Sequence, residues 1–149
     1  MPLRNIDLSL PMQLLRAREA AMSQFRPMLR SHGLTEQQWR VIRVLASDKE
    51  LDIGELSQKT FLLAPSLTRI LKALVRDGLV TRTPGPGDLR RVSIRLSKAG
   101  RSIYNNVSPN SERIYREIED RFGVQKLNHL YGLLNELQDA INCVKVDGC

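Results

Sequence analysis

The stretch Asp88–Gly100, DLRRVSIRLSKAG, decides how the chain is read. Val92, Ile94 and Leu96 alternate with Ser93 and Arg95, the period-two pattern of a half-buried strand. Ser97 then caps a helix. Thr83-Pro84-Gly85-Pro86-Gly87 precedes the stretch and predicts a loop, since this composition continues neither a helix nor a central strand. Leu79 to Thr83 predicts the partner strand and Arg91 to Leu96 the returning one. A loop carrying Arg90 and Arg91 between two short strands is a cationic wing.

Upstream, the local signals predict a helix-turn-helix. Thr35-Glu36-Gln37-Gln38 is a capping box, and the helix it opens places Trp39, Ile42 and Leu45 on one face. Asp52 caps a short helix with Ile53, Leu56 and Thr60. Phe61 to Ala64 is the turn. Pro65 suits the first position of the next helix, which reaches about Asp77 and stops at Gly78. Leu67, Ile70, Leu71, Leu74 and Val75 form its inward stripe. Ser66, Thr68, Arg69, Lys72 and Arg76 lie on the opposite face.

In a helix-turn-helix the second helix reads the major groove with its N-terminal residues. Arginine pairs bidentately with guanine, serine and threonine adapt to phosphate or base edges, and further cations suit phosphates. The candidate DNA contacts are therefore Pro65, Ser66, Thr68, Arg69, Lys72 and Arg76, with Asp88, Arg90 and Arg91 in the wing. A narrow minor groove attracts an inserted arginine. Asp88 repels phosphate and fits only as the partner that orients Arg90. The competing accounts are a solvated basic helix face and an exposed ion pair of little worth.

Outward from this unit the chain predicts long amphipathic helices. The first runs from about Leu10 to Arg30, with Ser9 as its cap and a kink at Pro27. Ser97 opens another that reaches Arg121 or Phe122, with a kink at Pro109, and Gly123 breaks it. The last, Val124 to Ile141, repeats Leu127, Leu130, Leu134, Leu137 and Ile141. These helices have nothing obvious to bury against in a compact winged core, which predicts a dimerisation layer; the alternative is a monomeric bundle. The fold class is mainly α with a small β-wing: a winged helix-turn-helix at 35–97, flanked by dimerisation helices at 1–34 and 98–142, with 143–149 a frayed tail of one 149-residue domain.

Composition sets limits on partners. The chain carries a formal charge of +7 and a pI near 9.9. The cations cluster at Arg69, Lys72, Arg76, Arg82, Arg90, Arg91 and Arg95, which favours nucleic acid as partner. No apolar run approaches the roughly 18 residues that span a bilayer, and no signal peptide is visible. Cys143 and Cys149 make no disulfide framework, so a reducing cytoplasm fits. His32 and His129 lie far apart, with no zinc-ligand spacing. Nothing resembles a nucleophile elbow or a phosphate loop, so no catalytic residue, cofactor or metal is expected.

The string Asp88-x-Arg90-x-x-x-Ile94-x-Leu96-Ser97-x-x-Gly100 resembles the wing signature of MarR-type winged-helix repressors, although Val and Thr are commoner there than Ile94 and Ser97. Leu56 to Val80 fits the same family, and the likeness spans nearly the whole chain. Arg18 to Met22, Phe25 to Pro27, His32 to Arg43 and Glu119 to Leu137 resemble members that control aromatic-acid catabolic operons. The resemblance implies a homodimeric repressor, bound to double-stranded operator DNA and released by an aromatic carboxylate such as 4-hydroxyphenylacetate or homoprotocatechuate. Some relatives sense peroxide through a cysteine in the first helix; this chain has none before Cys143.

Such an effector needs a cation for its carboxylate and an apolar cleft for its ring. The resemblance places the cleft between dimerisation helices and winged unit. Arg16 or Arg18 on the first helix, and Trp39 or Arg43 on the second, are the candidates; Arg16 and Arg18, two apart, do not share a helix face. Trp39 is equally accounted for as core, and the arginines as solvent-facing. A winged-helix protein-interaction or architectural module without an effector stays open as the alternative function.

Overall fold

The computed structural model describes residues 1–85 and 88–146, with backbone alone at 88–90 and 144–146. A single 3-10 turn, Ile6–Leu8, precedes α1 (Leu10–Ser31), α2 (Glu36–Ser47), α3 (Ile53–Thr60) and α4 (Ala64–Arg76). Strands β1 (Val80–Gly85) and β2 (Asp88–Leu96) pair antiparallel, and α5 (Lys98–Phe122) and α6 (Val124–Val146) complete the chain. Two compact units result, 1–111 and 112–149.

The predicted caps at Thr35 and Asp52 are in place. Thr35 Oγ1 accepts from the Gln38 amide at 3.1 Å while Gln38 Oε1 accepts from the Thr35 amide at 3.0 Å, closing the capping box. Asp52 accepts from the Glu55 amide at 2.8 Å. Ser9 differs: it stands at the N-cap of α1 but makes no side-chain cap bond. Pro27 and Pro109 both lie inside continuous helices.

The strands run further than expected. β1 continues through Pro84 to Gly85, with Pro84 opposite Val92 and an irregularity in register between Pro84 and Gly85. A proline is tolerated because each strand of a two-stranded ribbon has an open edge that needs no donor. Val80 faces Leu96 at the base, and Leu51 adds an isolated bridge to Ile94 through a reciprocal amide pair of 3.1 and 2.8 Å.

The core of the first unit gathers Leu29, Ile42, Leu45, Leu56, Leu67, Leu71, Leu74 and Ile94, all essentially without exposure. Leu67, Leu71 and Leu74 confirm the inward stripe of α4; Ile70 is half-buried and Val75 is exposed, so the stripe is narrower than the sequence reading. The beginning of α5 also corrects the expectation that it has nothing to bury against. Val107 is in this core, and Ile103 and Tyr104 pack on it. In the second unit Ile114 and Leu127 are buried, whereas Phe122, Leu130, Tyr131, Leu133 and Ile141 stay exposed. α6 runs past Ile141 to Val146.

Candidate DNA interface and effector site

Along α4, Pro65, Arg69, Lys72 and Arg76 form one exposed edge, with Ser66 and Thr68 flanking it in the first turns. Pro65 stands in the first turn and is exposed. Ser66 and Thr68 are half-buried, and the Thr68 hydroxyl donates back to the Ala64 carbonyl at 2.9 Å, leaving its oxygen lone pairs as acceptors. Arg69 and Lys72 are exposed, with no side-chain partner among the described residues. Arg76 is exposed and pairs weakly with Asp77 at 3.3 Å. Two free cations on the face opposite Leu67 and Leu71 suit a polyanion, since no existing pair must break.

Arg91 is exposed on β2, and Arg82 is exposed on β1. The backbone of Asp88 and Arg90 belongs to β2. Their side chains, and so the orienting role read for Asp88, lie outside the described residues.

Sequence reasoning missed how the wing is anchored. Glu50, in the α2–α3 connection, accepts from the buried Ser93 hydroxyl with one carboxylate oxygen. Its other oxygen accepts from Arg95 at 3.3 Å. With the Leu51–Ile94 amide pair beside it, this side chain ties β2 to the helix-turn-helix. Removing it strands a buried hydroxyl, a loss of about 1–3 kcal/mol. Glu50→Ala is therefore expected to lower both stability and operator affinity. Charge counting alone predicts tighter DNA binding, because a carboxylate is lost. Operator titration of the two proteins decides; affinity equal to or above wild type would remove the anchoring role.

The candidate effector residues fall into two groups. Arg16 is engaged with Asp7 at 2.9 Å on an exposed surface. Arg18 reaches Glu36 at 3.0 Å and Glu19 at 3.4 Å. Arg26 joins the same cluster, with Glu19 at 2.7 Å and Glu36 at 3.4 Å, so α1 is laced to the first turn of α2. The hydrogen bond from Arg26 holds the Glu19 carboxyl below its ordinary pKa. That support is present above the usual carboxylate range and lost as pH falls through it.

Trp39 and Arg43 differ from these. Trp39 is buried and stacks on Tyr104, ring centroids 5.8 Å apart and planes 24° from parallel. Arg43, one helical turn on and on the same face, is exposed with no side-chain partner among the described residues. A concavity of about 280 Å³ between the outer part of the wing and the start of α3 is a poor site for an aromatic acid: Glu50, Asp52 and Glu55 line it, with Arg91 as the one cation and no ring. His32 bonds Asn110 at 3.1 Å, and His129 is exposed.

Comparisons with known proteins agree with this geometry. Residues 32–91, from the end of α1 into β2, match the MarR family. The chain is 46% identical, over 86% of its length and 86% of the relative's, to a homoprotocatechuate degradative operon repressor of Escherichia coli. It is 40% identical, over 95% of its length and 99% of the relative's, to the HTH-type transcriptional regulator FarR of Neisseria gonorrhoeae. The crystal structure of NadR in complex with 4-hydroxyphenylacetate superposes with a TM-score of 0.79 at 40% identity, covering 92% of this chain and 97% of NadR. A winged unit of this form, shared over most of the chain at such identity, has one meaning: the protein belongs to the MarR family of DNA-binding transcriptional regulators and is not an enzyme.

Proposed function

We propose that this protein is a homodimeric repressor of an operon for aromatic-acid breakdown, released from its operator by a small aromatic carboxylate. The observation that carries the effector half is Arg43, without a side-chain partner among the described residues, one turn from the Trp39–Tyr104 stack. A guanidinium for the carboxylate, with the half-buried Tyr104 ring beside it for the effector's ring, is the chemistry such a ligand requires; Trp39 itself is core and backs that ring. The likeness to a homoprotocatechuate operon repressor and to a protein crystallised with 4-hydroxyphenylacetate supports the same class of ligand.

The dimer reading draws on the apolar surface left open at both ends of the chain, Leu10, Leu14 and Leu15 on α1 and Leu130, Leu133 and Ile141 on α6. Exposed leucines at this density mark an interaction surface. A two-fold dimer places two copies of α4 on consecutive major grooves, about 34 Å apart.

Pro65, Ser66, Thr68, Arg69, Lys72 and Arg76 then lie against the major groove, and the wing, with Asp88, Arg90 and Arg91, against the minor groove. Arg90→Ala is expected to weaken operator binding without unfolding the protein, and Asp88→Ala to weaken it as well. Fluorescence anisotropy with operator duplex, set beside thermal melting, checks both. Asp88→Ala binding at least as tightly as wild type would reject the orienting role. The decisive experiment for the function as a whole is operator release on titration with 4-hydroxyphenylacetate or its 3,4-dihydroxy analogue. Operator binding that no aromatic acid relieves would leave an architectural module.

A further inference from the structure

Phe61, Leu62 and Leu63 connect α3 to α4. Leu62 is buried, while its neighbours are 88% and 79% exposed, far above most apolar residues of the chain. The turn that holds them out is tightly fixed. Arg40 donates to the Thr60 carbonyl at 3.0 Å, and Ser57 donates to the Leu62 carbonyl at 2.6 Å. Thr60 Oγ1 donates to the Leu56 carbonyl at 2.6 Å.

Both exposed residues break a local rule. Phe61 sits at φ 54°, the one non-glycine with positive φ among the described residues. A bulky side chain is strained there, and glycine is the relaxed choice. Leu63 is the N-cap of α4 and makes no side-chain cap bond. Serine, threonine, asparagine or aspartate is favoured at that position, and leucine is among the poorest. Neither departure is repaid by burial within the chain. Strain and a missing cap at the same exposed turn point to a ligand contact.

The place of the turn selects the ligand. Leu63 stands immediately before α4 with an extended backbone (φ −66°, ψ 147°), so it projects exposed at the N-terminal end of the helix, beside Pro65 and Ser66, rather than joining the buried Leu67, Leu71 and Leu74 stripe. The N-terminal end of this helix is the end that enters the major groove. There, the one apolar group displayed on base edges is the 5-methyl of thymine. We propose that Leu63, with Phe61 beside it, forms an apolar reading edge that selects a thymine by its 5-methyl group in each operator half-site. This rests on the reading of α4 as the major-groove helix and adds a specificity determinant to its polar contacts.

The test uses the full-length protein and an operator duplex obtained by selection from random sequence. Each thymine is replaced in turn, in both half-sites, by deoxyuridine, which removes only the methyl. Wild type is expected to lose about three- to fivefold in affinity per buried methyl at one or two positions and nothing elsewhere. Leu63→Ser should bind the thymine operator more weakly, with the same salt dependence, and lose the discrimination at those positions. Phe61→Gly should raise the melting temperature by relieving the strained turn, yet weaken the thymine operator. Equal wild-type affinity across all deoxyuridine duplexes, or full discrimination retained by Leu63→Ser, would overturn the proposal while leaving α4 as the DNA-binding helix. Failure to select any operator would overturn that reading, and this one with it.

Discussion

Gly100→Ala is expected to destabilise the protein by on the order of 3 kcal/mol, more than a typical surface substitution. At this chain length that corresponds to a fall of roughly 6–12 °C in melting temperature. The reason is backbone, not side chain. A Cβ at Gly100 would overlap the Leu79 carbonyl oxygen and stand 3.0 Å from Leu96 Cδ2. That oxygen is held in place because it accepts from the Ser97 amide at 3.0 Å. The Ser97 hydroxyl donates to the Gly78 carbonyl at 2.5 Å and accepts from the Gly100 amide at 3.0 Å. The first turn of α5 therefore cannot retreat without opening the base of the wing. Gly132→Ala is the contrasting control: nothing lies within 4 Å of an added Cβ there. It should gain up to about 1 kcal/mol from helix propensity. Thermal melts at one fixed protein concentration check the pair, and a Gly100→Ala melt within a degree or two of wild type would refute the packing argument.

Arg43→Ala is expected to raise the 4-hydroxyphenylacetate concentration for half-release from operator by at least about tenfold, or 1.4 kcal/mol. Truncating the partner of a buried carboxylate costs about 2–5 kcal/mol, and partial solvation of Arg43 brings the expectation toward the lower end. Arg18→Ala should act less, because Arg18 is already bound to Glu36 and its loss disturbs the α1–α2 lacing rather than a free anchor. Arg16→Ala should act least, since its partner Asp7 shares an exposed surface. Effector and DNA must oppose each other by the same factor, so the effector's own affinity should fall with operator present. Equal release curves for all three variants and wild type would remove every one of these arginines as an anchor.

What was legible in the sequence was local. The Thr35–Gln38 box, the Asp52 cap and the strand from Val92 to Leu96 each act within a few residues and are found where they were read, although Ser93, on the face read as polar, is buried against Glu50. The misreadings came from distance. Glu50 and Ser93 meet across 43 positions, and no period links them. The start of α5 read as unpartnered, yet Tyr104 there stacks on Trp39, which belongs to a much earlier element. Pro84 argued against a strand only on the assumption that both edges are paired. The polar face of α4 was readable as chemistry, whereas the pairing of Arg16 and Arg18 with acidic neighbours, and the freedom of Arg43, required three dimensions.

The bridge between Leu51 and Ile94 bears on how the protein lets go of DNA. Two mutual amide bonds and the Glu50 carboxylate bind the second wing strand to the connection that enters the reading helices. Wing and helix then act as a single jaw. Footprints should accordingly vanish from the major and minor grooves of a half-site at the same effector concentration, with no intermediate in which one is still protected and the other bare.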